Sequence, residues 1–304
     1  MKELHHILVG IDFSSSSKSA LREAIRWSIP GCAPVTALHV IERSTAEALE
    51  RALGLDEAQL RLHVEGRLKE FIRGVEPVGL WVTPRIEIGR PYDKIEAACK
   101  ELKTDLLVLG SRGDDHKANQ IGVIAAKCLR KAPTDVLLVK ENFVGPFHRV
   151  LACVDFSETS ARAVTQASEA AHFDHAKLDC VYVYPCMEEM LADYGVLGAG
   201  FMPEANPASG DLWQKELDNF VAPLTSNGEA QAPHNIVVQG SNVRDTIRRQ
   251  VESSHAELVV LGTRGKTDLR TLLIGTTAER IVERTPCSVL AVKPESLVES
   301  HDHD

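Results

Sequence analysis

The chain is 304 residues long, 44% hydrophobic and 25% charged, which suits two domains of ordinary size, each burying its own core. Its net charge of −9 at pH 7 argues against broad nucleic-acid or membrane-surface binding, since both need basic surface. No apolar run reaches the ~18 residues of a spanning helix. The opening stretch MKELHHILVGIDFSSSS reads as neither signal peptide nor membrane span, so a cytoplasmic location is expected.

In chain order, the first half alternates short apolar runs with amphipathic segments. ILVGI, VTALHVI, RIEI, LLVLG and VLLVK are rich in Val, Ile and Leu and nearly free of polar residues, as strands buried on both faces of a parallel sheet are. SKSALREAIRWSI and YDKIEAACKELK between them carry apolar residues three and four apart, the helical period. Alternating strand and helix gives a parallel sheet covered by helices on both faces. Right-handed crossovers then favour an open, five-stranded sheet of mononucleotide-binding type with strand order 3-2-1-4-5.

The second half repeats the first. HHILVGIDFSSSSKSAL matches FHRVLACVDFSETSARAV, aligning Asp12-Phe13-Ser14 with Asp155-Phe156-Ser157. DLLVLGSRG matches ELVVLGTRG, and APTDVLLVK matches TPCSVLAVK. The expected organisation is a first α/β domain over 1–140, a linker over 141–148 with Gly145-Pro146 as punctuation, a second domain over 149–294 and an acidic tail over 295–304. The seven cysteines form no C-x-x-C pair and read mostly as buried hydrophobes in a reducing compartment.

The stretch LGTRGKTDLRTLLIGTT, Leu261 to Thr277, carries the functional signal. Gly262 and Gly265 let the backbone bend and approach a ligand closely. Gly275 opens an expected helix whose first amides have no partner within it, and Thr276 and Thr277 add hydroxyl donors there. Arg264, Lys266 and Arg270 face only Asp268 in the loop, a balance that suits phosphates. Asp155, at the end of the first strand of this half, could hold a ribose or base amino group, or help carry a magnesium ion through water. The plainer alternative is that the glycines serve packing while Asp155, Ser157 and Thr276 cap helices.

Strand, then G-x2-G-x9-G-[S/T], then helix resembles the nucleotide motif of the universal stress protein family. The resemblance extends over both halves, so the chain resembles a tandem member. It implies a stress-response regulatory protein binding ATP or another adenine nucleotide in the second domain, with the backbone near Val183 meeting adenine. It also implies that the last strands, VLLVK and VLAVK, pair within one chain as a pseudo-dimer; a homodimer of the whole chain stays open.

The first half carries an imperfect copy of the motif. Gly110 and Gly113 are present, but only eight residues separate Gly113 from Gly122, and Val123 replaces the hydroxyl residue. Asp114 and Asp115 in this loop would repel phosphate, although His116 and Lys117 could offset them. Asp12, Val40, Gly110, Arg112, Gly113 and Gly122 therefore mark at most a weak second site, and a structural or regulatory first half is expected.

Two alternatives stand beside the regulatory reading. As an enzyme, the chain lacks SGGxDS, a HIGH and KMSKS pair, and a Walker GxxxxGK[ST], so slow ATP hydrolysis is the most that the pattern supports. As a scaffold, it would bind a non-nucleotide ligand or partner through the methionine-rich stretch 186–213, which contains Met187, Met190, Met202 and Trp213. That stretch is either a lid or partner- or lipid-contacting flap, or a loop packed on its own domain.

Overall fold

The computed structural model describes residues 4–75, 82–111, 121–184, 208–225, 232–240, 242–264 and 287–295. They fall into two compact units, one of residues 2–146 with 286–304 and the other of Phe147–Thr285.

In the first unit the chain runs β1 (Ile7–Gly10), α1 (Ser15–Ser28), β2 (Val35–Ile41), α2 (Arg43–Leu53), α3 (Glu57–Arg73) and β3 (Val82–Ile88). It continues through α4 (Pro91–Glu101), β4 (Leu106–Gly110), α5 (Val123–Lys131) and β5 (Asp135–Val139). The strands lie in the order β3-β2-β1-β4-β5, all parallel, as the alternation of runs predicts. β1, β4 and β5 are buried along almost their whole length, which explains their uninterrupted apolar sequences. α1 presses Ala20, Leu21, Ala24 and Trp27 into this core.

The second unit repeats the plan with β6 (Arg149–Val154), α6 (Glu158–Asp174), β7 (Lys177–Tyr184), α7 (Ala208–Val221), β8 (His234–Gln239), α8 (Val243–Ser254) and β9 (Leu258–Gly262). Its parallel strands lie in the order β8-β7-β6-β9, the same 3-2-1-4 sequence. The fifth strand of the second repeat, β10 (Ser288–Val292), groups with the first unit because it pairs antiparallel with β5.

Leu290 stands opposite Leu137, with Val289 opposite Leu138 and Ala291 opposite Val136. Leu137 and Leu290 are each other's counterparts in the repeat, so the two strands meet about a local two-fold axis. The ends of the pairing are not equivalent. The Lys140 amide donates to Ser288 Oγ at 3.1 Å, whereas the Lys293 amide donates to the Asp135 carboxylate at 2.6 Å. Lys140 is exposed, but Lys293 is buried, and its ammonium donates to the Leu129 carbonyl at 2.5 Å.

The turn from the first strand into the first helix is built alike in both repeats. Asp12 Oδ1 accepts the Ser14 amide at 2.9 Å, and Ser14 Oγ accepts the Ser17 amide at 3.1 Å. Asp155 Oδ1 accepts the Ser157 amide at 3.0 Å, and Ser157 Oγ accepts the Ser160 amide at 3.1 Å. Each is an aspartate turn feeding a serine N-cap. The residue between, Phe13 or Phe156, is held at φ 67° or 59°, in the left-handed region that bulky residues avoid.

Candidate functional site

The carboxyl ends of β6, β7 and β9 carry four of the eight expected second-repeat residues. Asp155 follows β6, Val183 lies within β7, Gly262 ends β9, and Arg264 lies two residues further on. Ser157 links the first and last of these. Its hydroxyl donates to Asp155 Oδ1 at 2.5 Å and lies 3.4 Å from the Arg264 carbonyl; the shorter contact takes the proton. Asp155 and the backbone at Arg264 therefore meet at one end of the sheet. The side chain of Val183 is buried, leaving its backbone as the part a ligand could use. Gly265, Gly275, Thr276 and Thr277 lie outside the described residues, as do Lys266, Asp268 and Arg270.

Gly262 and Gly110 have a packing reason for being glycine. A Cβ at Gly110 would lie 2.7 Å from the Ser16 carbonyl carbon and Cβ, and one at Gly262 would lie 3.0–3.2 Å from Thr159 atoms. Ser16 and Thr159 are equivalent positions in the first turns of α1 and α6. The first glycine of each motif thus lets a strand end close onto a helix start.

An aromatic cluster beside Asp155 was not singled out by sequence. The Phe156 ring lies 4.5 Å from Tyr182, 5.3 Å from Phe220 and 6.1 Å from Trp213, the last nearly parallel. Burial first, and then the nearby Asp155 charge, raise the Tyr182 pKa. The signal available was the Asp-Phe-Ser triplet repeated in both halves. Trp213 belongs to α7, so the described end of the methionine-rich stretch packs on its own domain. Residues 186–207 lie outside the described residues.

In the first repeat, Asp12, Val40, Gly110 and Gly122 come together around a cavity of about 260 Å³ at the carboxyl ends of β1, β2 and β4. Arg112 and Gly113 lie outside the described residues. His39 also lines this cavity, at the position Tyr182 takes in the second repeat. Its ring is 4.5 Å from that of Phe13, and its Nδ1–H donates to the Ile11 carbonyl at 2.7 Å.

Burial is the main reason the His39 pKa is lowered, and it outweighs the Ile11 carbonyl and Asp12, which pull it upward. His6 is lowered in the same sense, again chiefly by burial. Below pH 6.5 the unfolded chain takes up protons that the folded chain refuses. The contribution of neutral His39 is therefore fully present above 6.5 and is lost as pH falls toward its lowered native value. We expect His39→Gln to flatten the acid-side decline of Tm between pH 7 and pH 5; an unchanged slope would contradict this origin.

Among the described residues no group of three or more His, Cys, Asp or Glu side chains is placed to hold a metal ion, and no helix is long and apolar enough to cross a membrane. Cys99, Cys128 and Cys180 are buried thiols, and burial pushes the pKa of Cys128 and Cys180 up to about 12. They are inert packing groups.

Two repeated parallel sheets with glycine turns at the carboxyl ends of their strands define a tandem α/β protein of mononucleotide-binding architecture. Residues 3–140 and 146–293 each match the universal stress protein family, and the chain belongs to it. Among curated relatives, a universal stress protein of Mycobacterium tuberculosis (strain H37Rv) is 25% identical over 93% of this chain and 95% of its own. The universal stress protein E homolog of Haemophilus influenzae is 27% identical over 70% of this chain and 72% of its own. A putative universal stress protein of Pseudomonas aeruginosa has the same fold, with a TM-score of 0.70 at 18% identity, covering 98% of this chain and 96% of its own.

Proposed function

We propose that this protein is a cytoplasmic stress-response regulator that binds ATP or another adenine nucleotide in its second repeat. The first repeat serves as the structural or regulatory half. The observation that carries the reading is the meeting of Asp155, Ser157 and the Arg264 backbone where β6 and β9 end. Open α/β sheets bind ligands at the carboxyl ends of the strands where the strand order reverses, and the order β8-β7-β6-β9 places that point between β6 and β9.

In this reading the backbone at Val183 meets the base, and Asp155 holds the ribose or carries magnesium through water. Gly262 and Gly265 bring the backbone close to the ligand, while Arg264 and the residues Gly275, Thr276 and Thr277 take the phosphates. The family membership and the basic 264–270 loop support it. The β5–β10 pairing acts as the intrachain counterpart of a dimer contact.

Arg264→Ala should weaken ATP binding by about tenfold, the worth of one charge-assisted contact to phosphate. Adenosine binding should change little, because it presents no phosphate. Equal ATP affinity for the two proteins in a fluorescence or calorimetric titration would remove Arg264 from the site.

A further inference from the structure

Phe156 stands between the two residues that tie the second-repeat turn together, Asp155 and Ser157. At φ 59° it lies in the left-handed region, where the Cβ of a non-glycine residue crowds its own backbone. In that conformation the Ser157 amide and hydroxyl both return to one carboxylate oxygen, Asp155 Oδ1, at 3.0 and 2.5 Å. Both bonds fall on Oδ1, so the turn fixes the direction of Oδ2.

A strained backbone persists where its surroundings hold it. Here the holding contacts are aromatic. The Phe156 ring lies 4.5 Å from Tyr182 of β7, meets Phe220 edge-on at 5.3 Å, and lies 6.1 Å from Trp213 at 22° from parallel. Trp213 and Phe220 stand two turns apart on one face of α7. The helix has its own anchors in Leu217 and Val221, which are fully buried. Phe156 is thus a peg joining α7 to the turn that carries Asp155.

The first repeat holds Phe13 by the same means. At φ 67°, it meets Phe71 edge-on at 5.6 Å, and a flat group of α3, the Arg67 guanidinium, lies 4.1 Å over its ring. A phenylalanine kept in a disfavoured conformation twice, each time gripped by a helix, points to the ring as the holder of the turn.

We propose that Phe156 is a positioning residue for the nucleotide site. Its contacts with β7 and α7 hold it in the left-handed conformation, and that conformation aims the Asp155 carboxylate at the ligand. The proposal rests on the nucleotide reading of the second repeat for its ligand, while the hold on the turn rests on geometry alone. It makes α7 and the nucleotide sensitive to each other, because whatever draws α7 away from Phe156 loosens Asp155.

The test separates these two parts. Hydrogen exchange of the Ser157 amide, measured by NMR on the full chain without ligand, reads the turn directly. Phe156→Ala keeps the backbone strain and loses the ring, so exchange should quicken about tenfold. Phe156→Gly also loses the ring but takes the left-handed conformation freely, so exchange should stay within about threefold of native. Trp213→Ala should quicken exchange about threefold in the native background and leave it unchanged in Phe156→Gly, because its influence passes through the ring. ATP titration of the same proteins should follow this order, with Phe156→Ala about tenfold weaker than native and Phe156→Gly close to native. A ring that served only packing would make glycine at least as damaging as alanine. Equal exchange in the alanine and glycine variants, or an equal effect of Trp213→Ala in both backgrounds, would overturn the hold on the turn. The predicted exchange order with unchanged ATP affinity would overturn positioning of the ligand. The same order with no ATP binding to the native chain would remove the nucleotide reading and leave the hold on the turn standing.

Discussion

Lys293→Ala should destabilise the protein by about 3–5 kcal/mol, the usual effect of removing one member of a buried charged arrangement. The side chain is 1% exposed, and its ammonium satisfies the Leu129 carbonyl at the end of α5. Truncation leaves that carbonyl buried without its donor. It also removes a positive charge from the strand edge where Asp135 is buried and accepts the Lys293 amide. Lys140→Ala, at the equivalent and exposed position, should change stability by no more than about 0.5 kcal/mol. Urea unfolding of the two variants gives the comparison directly. Similar small losses in both would show that β10 does not depend on its buried lysine.

Gly110→Val should cost about 3 kcal/mol, at the upper end of ordinary overpacking. Its Cβ would lie 2.7 Å from the Ser16 carbonyl carbon and 2.9 Å from the Ser17 amide nitrogen, and a helix backbone cannot swing aside as a flexible side chain can. Gly262→Ala meets Thr159 at 3.0–3.2 Å, partly through a side-chain methyl, so its cost should be nearer 1 kcal/mol. If thermal unfolding shows the two glycines equally tolerant, the strand-to-helix closure in the first repeat is looser than its geometry indicates.

The strands were legible because both faces are covered. ILVG, LLVLG and LVVLG could be read as buried strands from composition alone. The repeat alone also sets Asp12 and Asp155 at equivalent positions. α2 was hard to read for the opposite reason, since it buries only Ala46. The fates of Lys140 and Lys293 were not legible at all. VLLVK and VLAVK look alike, and what separates them is Asp135 against Ser288, residues that act across the strand pair. The Phe156–Tyr182–Trp213 cluster likewise joins β6's turn, β7 and α7, which only the fold brings together. The imperfect motif of the first repeat argued against phosphate, and four of the residues it marked as a weak second site line one cavity.

The central claim is that one adenine nucleotide binds, and that it binds in the second repeat. Calorimetric titration of ATP with magnesium into nucleotide-free protein, alongside Gly265→Val, tests it most directly. The account predicts one site per chain in the native protein and none in the variant. Two sites, or a single site that survives Gly265→Val, would contradict it.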